Sequence, residues 1–583
     1  MTNVLADDAI VNPETTSTPA ARRVARRARR SIYRAFLDAA QRKGLKTKAV
    51  IDGDGRIFSY GEIVRAATAL GGPIARLTAP GEKVGVLLPT GAGVVISILA
   101  LGSRGRVPAM MNFTAGARNL RAAAAAAPFK TVLTAKRFID QAKLEGLVDE
   151  LKPHMDFVYL EDLRGEGGVL DKARAAIAPL LPALSPLILG GAPDPDAPGV
   201  VLFTSGTEGD PKGVVHSHAN ILSNIEQIAA HVRIEPSDVF FNPLPAFHCY
   251  GLTAGTLWPL IVGYPAVLHP SPLQTKVIPK RIFDTGASVL FATDTFLQQY
   301  MRASADGGMS SLRLAVCGAE RVKDETRASA ARRFSFQVLE GYGVTEAAPV
   351  IAANPPGDIQ SGTVGKLLPG IEARLEPQEG LGPDAGRLRV RGPNVMMGYV
   401  SAGEPGVVKP SGVDGWHDTG DVVSIDDKGY VTIKGRLKRF AKIGGEMVSL
   451  AVVENCATAV WPDAMHAAAA LPDPKKGEQI VLVTSERNPD RAALIAWAKS
   501  HGVPELAVPK KVVKVDEVPV LGTGKLDYVG VKRMAENALA REENEGRDAA
   551  AAKAATSKQA TSKQATAKSA ANDATPKLRD AAE

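Results

Sequence analysis

The chain has 583 residues, too many for one ordinary domain and enough to build several hydrophobic cores. It is 45% hydrophobic and 23% charged, and its 56 glycines and 40 prolines show no collagen-like period, so fibrous and membrane-embedded classes are excluded. Three widely spaced cysteines (Cys249, Cys317, Cys456) make neither a disulfide framework nor a metal-ligand pattern, and no HExxH or CxxC segment is present, so a dedicated protein-bound metal cage is not expected.

The net charge of +8 is concentrated near the start of the chain, in Arg22, Arg23, Arg26, Arg27, Arg29, Arg30 and Arg34. Residues 1–30 are expected to stand apart as a disordered, then basic and helical, segment. The plain reading is a solvated basic helix. The sharper one is a dock for an acidic protein or for an anionic membrane surface. Nucleic acid is not expected as a partner, because no nucleic-acid-binding motif accompanies the basic run. The first 30 residues contain no apolar run of the secretory type, and a cytoplasmic location, or one peripheral to the inner membrane, is expected. The uncharged run Val84 to Ser103 is long enough to span a bilayer, but Pro89, Thr90, Gly91 and Gly93 interrupt it. It reads as a buried strand (Val84–Leu88), a turn and a buried helix (Ala92–Leu101).

Further on, apolar runs alternate with helical stretches. Val200–Phe203 leads through a Gly-rich turn to a helix near Asn220–Arg233. Ser288–Phe291 precedes a helix over Asp294–Ala303. Leu312–Val316 precedes Gly318 and a helix near Lys323–Arg333, and Phe336–Leu339 runs into Gly341. This alternation predicts an α/β fold with a largely parallel sheet and helices on its faces. Past Gly386 the texture changes to short strands, Arg387–Val390, Asp421–Ile425 and Tyr430–Lys434, with turns such as 427–429 between them. The expected organisation is a large domain over 31–435, a hinge at 436–438, a small domain over 439–538, and an Ala/Lys/Ser/Thr-rich tail over 539–583. That tail is too poor in large apolar residues to offset its ordering entropy and is expected to be disordered.

The main chemical signal is Thr204-Ser-Gly-Thr-Glu-Gly-Asp-Pro-Lys-Gly213, directly after an apolar strand. Gly206 and Gly209 let the backbone curl so that N–H groups converge on one anion. The hydroxyls of Thr204, Ser205 and Thr207 add donors, and Lys212 adds a positive charge. This chemistry suits the pyrophosphate end of a nucleotide. A bare surface hairpin is the alternative. The segment is neither a Walker loop, because Pro211 precedes Lys212, nor a completed GxGxxG fingerprint. It resembles the signature of the adenylate-forming superfamily, which includes acyl-CoA synthetases, luciferases and peptide-synthetase adenylation domains. It departs from the common form in having Glu208 where Thr is usual.

Further segments resemble the signatures of that superfamily, in its order. In Gly341-Tyr-Gly-Val-Thr-Glu346 the resemblance implies that Tyr342, between Gly341 and Gly343, packs on the adenine, that Thr345 bonds the α-phosphate and that Glu346 helps hold Mg²⁺. These are also the groups that a purine, a phosphate oxygen and a hard cation call for. Upstream, Gly318-Ala319-Glu320 resembles the segment lining the other side of the adenine. Trp416-His-Asp-Thr-Gly-Asp421 resembles the ribose signature, with Asp421 accepting from the ribose hydroxyls. In Gly435-Arg-Leu-Lys438, Arg436 would approach ribose or phosphate and Lys438 would mark the hinge. In Lys442-Ile-Gly-Gly-Glu446, Gly445 would let a pantetheine arm pass close to the backbone. In Pro519-Val-Leu-Gly-Thr-Gly-Lys-Leu-Asp527, Lys525 would reach the reacting carboxylate and the α-phosphate, where a mobile cation offsets the repulsion of two anions. The matching segments cover about 200–530, and the resemblance extends from about residue 31.

The resemblance implies the adenylate-forming fold: a large domain of parallel-rich sheets with flanking helices and a β-subdomain, and a small mobile α+β domain. It also implies ATP and Mg²⁺ as cofactors and a two-step, AMP-forming ligation. Phe241-Asn-Pro-Leu-Pro-Ala-Phe-His-Cys-Tyr-Gly251 and the segments around Gly341, Lys438 and His501 look most like the synthetase half of a bacterial bifunctional acyl-acyl-carrier-protein synthetase and 2-acylglycerophosphoethanolamine acyltransferase. His248 lies where that family places a side chain beside the reacting carboxyl group; a core histidine is the alternative. No HxxxxD motif for an acyltransferase step occurs in the chain. The expected function is therefore a fatty-acid ligase whose acceptor is the phosphopantetheine thiol of an acyl carrier protein. The alternatives are a long- or medium-chain acyl-CoA synthetase using CoA, and a non-catalytic binding protein that keeps the fold.

Overall fold

The computed structural model describes residues 10–11, 18–181, 193–204, 211–378, 381, 384–412, 414–443, 446–473, 476–520, 526–541 and 544. The chain divides into two compact units, Met1–Lys438 and Arg439–Glu583. All but a few residues of the expected disordered tail lie outside the described residues.

The first unit holds three sheets. One has eight strands. Its parallel core runs from Pro198–Thr204 through Val107–Met110, Lys83–Val86 and Thr131–Thr134 to Asp156–Tyr159. Strands Val107–Met110 and Thr131–Thr134 are buried at every residue, which is why they read as unbroken apolar or small runs rather than as alternating ones. Beyond Pro198–Thr204 the sheet continues antiparallel through Lys212–Ser217, Gly398–Ser401 and Glu404–Lys409. The expected strand and helix around Pro89 are present as Lys83–Val86 and Ala92–Ser103, the latter buried around almost its whole circumference.

The second sheet has nine strands. Its parallel centre comprises Lys48–Ile51, Ala266–Leu268, Phe240–Asn242, Val289–Ala292, Leu314–Cys317 and Gln337–Gly343. Both edges are antiparallel, with Ile57–Ser59 at one side and Val350–Ala353 and Lys366–Leu367 at the other. The third sheet is antiparallel and joins Glu372–Pro377, Ala385–Arg391, His417–Ile425 and Val431–Arg436, with the short strand Ile10–Val11 added at its edge. In Ala385–Arg391 the apolar Leu388 and Val390 are buried while Arg387, Arg389 and Arg391 lie on the other face, the period of a half-buried strand.

The second unit is α+β. Strands Phe440–Ile443, Glu446–Ser449, His466–Asp473, Gly477–Thr484 and Lys511–Lys514 form one sheet. Helices Leu450–Val460 and Arg491–Ser500 pack on it through Val453, Cys456, Leu494 and Ala498.

Three local expectations are corrected. The Gly-rich turn leads first to a strand, Lys212–Ser217, and only then to the helix His218–His231. The helix expected near Lys323–Arg333 is an α-helical turn and a half, Asp324–Ser329, that widens to π geometry over Ala330–Phe334. The basic stretch is not separate from the large unit. It forms the helix Pro19–Ala28, capped by the Thr18 hydroxyl, which accepts from the Ala21 N–H at 3.1 Å. Ala21, Val24 and Ala28 are buried against the helix His218–His231, and Arg27 and Arg30 both reach Glu226 at 3.3 Å.

Candidate active site

The candidate site draws on strands from all three sheets of the large unit. Gln337–Gly343 leaves the parallel centre of the nine-stranded sheet and pairs back on Val350–Ala353, with Gly341 opposite Ala353, Tyr342 opposite Ala352 and a register shift before Gly343. A Cβ on Gly343 would lie 2.1 Å from the Pro349 carbonyl oxygen, so the backbones approach too closely for any side chain there. The chain then makes a single 3₁₀ turn, Thr345–Ala347. Two distant contacts hold this turn. His216 Nε2, from the eight-stranded sheet, donates to the Thr345 carbonyl oxygen at 2.7 Å, and the Met396 N–H donates to the Glu346 carbonyl oxygen at 2.8 Å.

His216 is fully buried, its Nδ1 has no hydrogen-bond partner among the described residues, and burial lowers its pKa to about 4. Burial likewise lowers His218 and His269 to about 4. A base depressed on folding binds fewer protons than in the unfolded chain, so its contribution is complete above pH 6.5 and is lost as pH falls toward 4. Each of these histidines should therefore cost about 2 kcal/mol of stability between about pH 7 and about pH 5. Urea unfolding at the two pH values should show the acid loss, and His216→Gln should reduce it.

Asp421 lies on His417–Ile425 directly opposite Arg436 on Val431–Arg436. Its Oδ2 accepts the Tyr342 hydroxyl at 2.5 Å and its Oδ1 accepts Arg436 Nε at 3.0 Å. Asp421 is 3% exposed, and burial raises its pKa above that of an ordinary aspartate, against the pull of the Arg436 charge and the Tyr342 hydrogen bond. Burial, reinforced by the Asp421 charge, raises the Tyr342 phenol well above its usual range, so its hydroxyl remains a donor.

Glu346 and Lys212 meet through a residue that the sequence did not mark. Tyr399 donates its hydroxyl to Glu346 Oε1 at 2.6 Å, and the Lys212 ammonium lies 5.5 Å from the centre of its ring. The Glu346 charge also acts on Asp421, Arg436 and His417, and it adds to the burial that pushes the Cys249 thiol up to about 12. Tyr342, Asp421, Arg436, Glu346 and Lys212 are thus brought into one neighbourhood from well-separated segments of the sequence.

Gly318 follows the strand Leu314–Cys317, and a Cβ there would come within 3.3 Å of the Tyr250 ring. Ala319 has a left-handed backbone, with φ of 68°. Glu320 Oε2 accepts the Thr295 N–H at 2.9 Å and so caps the start of helix Asp294–Ala303, a structural task for one of its oxygens. His248 is half-buried, packs against Phe247 in a tilted arrangement at a centroid distance of 4.7 Å, and precedes the π-helical Tyr250–Leu257. Asn242 Nδ2 braces that π turn by donating to the Gly251 carbonyl oxygen at 3.0 Å and to Thr256 Oγ1 at 3.1 Å. Thr204 and Lys212 pair across the two strands that bracket the Gly-rich loop. Lys438 is the last residue of the first unit. Ser205, Gly206, Thr207, Gly209, Gly445 and Lys525 lie outside the described residues. Among the described residues no group of three or more His, Cys, Asp or Glu could cage a metal. The lone carboxylate of Glu346 instead matches the kind of ligand set that suits Mg²⁺, which keeps several waters and takes only one or two carboxylates.

Tyr399 and His216 were the residues missed. Each sits on a short strand, and only long-range pairing places it against the Thr345–Glu346 turn; no local signal would have found either.

A family model described as AMP-binding enzyme matches residues 36–400, well over half of the chain. The chain belongs to the AMP-binding enzyme family. It is 32% identical over 348 residues to a methyl-dioxo-octahydroindenyl-propanoyl:CoA ligase of Rhodococcus jostii, covering 58% of this chain and 65% of the relative. It is 29% identical over 339 residues to a long-chain-fatty-acid–CoA ligase of Salmonella typhimurium, covering 56% of this chain and 59% of the relative. The matches thus span less than two thirds of either relative. Both are CoA ligases, and the expected kinship with an acyl-acyl-carrier-protein synthetase finds no support in them. The fold is that of an O-succinylbenzoate coenzyme A synthetase from Bacillus subtilis solved with ATP and magnesium ion. The TM-score is 0.71 at 21% identity, covering 84% of this chain and 98% of the other. The chain has the adenylate-forming α/β fold, with a large N-terminal and a smaller C-terminal domain. No helix among the described residues is long and apolar enough to cross a membrane.

Proposed function

We propose that the chain is an ATP-dependent, AMP-forming acid:CoA ligase whose acid is a fatty acid. The observation that carries this reading is the pairing of Asp421 with both Tyr342 and Arg436 beside Glu346 and Lys212. A carboxylate offers about four acceptor positions, and among the described residues one on each oxygen of Asp421 is taken. The remaining two would receive a vicinal diol such as ribose. Tyr342 lies beside that point as a face for adenine, and Lys212 supplies positive charge toward the phosphates. Glu346 would hold Mg²⁺, which supplies charge neutralisation on the phosphate oxygens when bound.

In the first half-step a carboxylate oxygen attacks the α-phosphorus of ATP. The bond to pyrophosphate breaks, and a mixed anhydride, acyl-AMP, forms. In the second, a thiol sulfur attacks the acyl carbon, the bond to the phosphate oxygen breaks, AMP leaves and the thiol proton passes to solvent. Nothing in these steps requires a protein nucleophile. The protein's work is placement and charge compensation: Thr345 toward the α-phosphate, Lys525 between the two anions, and the Gly206 loop around the pyrophosphate. Lys438 would serve as the hinge between half-steps and Gly445 as the passage for pantetheine.

CoA is favoured as acceptor because the relatives' own names are those of CoA ligases. Pyrophosphate release should be measured across carboxylates of graded chain length, then thioester formation with CoA and with acyl carrier protein. Release with fatty acids and thioester with CoA is the expected result. Thioester with carrier protein alone would return the acceptor to the first expectation, and no release with any carboxylate would overturn the ligase reading.

A further inference from the structure

Glu346 and Lys212 carry opposite charges and approach the same ring, that of Tyr399. Such a pair, left to itself, would close into a direct ion pair, and each group would then be neutralised by the other rather than by a ligand. Tyr399 stands between them. It lies on the strand Gly398–Ser401 opposite Val214 of Lys212–Ser217, so Lys212 is its diagonal neighbour on the same sheet. Strand pairing fixes the ring, the ring face takes the ammonium, and the hydroxyl takes one carboxylate oxygen. The other oxygen of Glu346 has no hydrogen-bond partner among the described residues and is left for a cation. Burial and the Glu346 charge keep the phenol protonated, so it remains a hydrogen-bond donor across the working pH range.

We infer that Tyr399 is a positioning residue that holds Glu346 and Lys212 apart, so that the carboxylate meets a divalent cation and the ammonium meets a phosphate. This rests on the ATP-binding reading given above. It extends that reading to a residue outside the segments that resemble the superfamily signatures, one acting through two others rather than on the substrate.

Two substitutions separate the two contacts. Tyr399→Phe keeps the ring face and removes the hydroxyl; Tyr399→Leu removes both. Binding should be followed by calorimetry on the full chain, first with ATP in EDTA and then by titrating Mg²⁺ into the ATP-saturated protein, with urea unfolding as a check that each variant is folded. Tyr399→Phe should raise the Mg²⁺ concentration at half-saturation about tenfold and leave ATP affinity in EDTA unchanged. Tyr399→Leu should, in addition, weaken ATP in EDTA about threefold. In a Glu346→Gln background, Tyr399→Phe should no longer change the Mg²⁺ dependence. Unchanged Mg²⁺ dependence in Tyr399→Phe, or the same effect with and without Glu346, would overturn the inference while leaving the ATP reading intact. A wild-type protein that binds no ATP would remove the ATP reading itself.

Discussion

Asp421→Ala should raise the dissociation constant for ATP by about 100-fold or more, because two hydrogen bonds to a charged acceptor are lost at about 1.5–3 kcal/mol each. The same change should destabilise the large unit by about 1–3 kcal/mol, the cost of leaving the buried Tyr342 hydroxyl without its acceptor. The loss of Arg436 adds little, since its side chain is 60% exposed and its charge is screened by solvent. Affinity and stability must be measured together, by calorimetry with ATP and by urea unfolding. Asp421→Asn keeps the shape and one acceptor for Tyr342 but turns N–H groups toward Arg436, so it should recover part of the stability and little of the affinity. The pH dependence has a definite sign. Burial raises the Asp421 pKa, so as pH falls the carboxylate is protonated earlier than an ordinary aspartate and ATP affinity falls with it. A folded Asp421→Ala protein with wild-type ATP affinity would remove Asp421 from the nucleotide site.

The strands and helices of the parallel sheets were legible because burial on both faces leaves a local trace. Val289–Ala292 is a continuous apolar run, and helix Asp294–Ala303 has its expected bounds, with a Thr293 cap and buried Phe296, Leu297, Tyr300 and Met301. Strand Lys212–Ser217 was missed because it starts on a lysine after a proline, ends on His216 and Ser217, and is held by partners on both sides rather than by its own pattern. The docking of the basic helix was hidden for a related reason. Its buried face is made of Ala21, Val24 and Ala28, a weak apolar signal among arginines, and Arg27 meets Glu226 across 199 residues of sequence. The site shows the same division. Residue types suited to phosphate, ribose and cation were readable one segment at a time. The bonds that join them were not: Tyr342 to Asp421 spans 79 residues, and Tyr399 to Glu346 spans 53. Local chemistry constrains what a residue can do, while sheet register decides what it does it to.

Lys525→Ala should lower acyl-adenylate formation by about 100- to 1,000-fold, the usual loss when one preorganised donor to a developing charge is removed. It should change transfer of the acyl group from preformed acyl-AMP to the thiol by no more than about threefold. The asymmetry follows from the charges. In the first half-step a carboxylate must approach a phosphate that is itself an anion, and the lysine lowers the energy of that approach. In the second, the acyl group is already activated as a mixed anhydride with no free carboxylate charge, and the attacking thiol meets no such barrier. Lys525 itself lies outside the described residues; of its described neighbours in sequence, Val520 pairs with Leu526, and the Asp527 N–H donates to the Pro519 carbonyl oxygen at 2.8 Å. Asp527 Oδ1 in turn accepts the N–H groups of Val529 and Gly530, each at 3.1 Å, capping the helix that follows. The check is to measure pyrophosphate release with a fatty acid, and separately the thiol-dependent consumption of synthetic acyl-AMP. Equal losses in both would show that Lys525 supports the fold or a shared step rather than the meeting of the two anions.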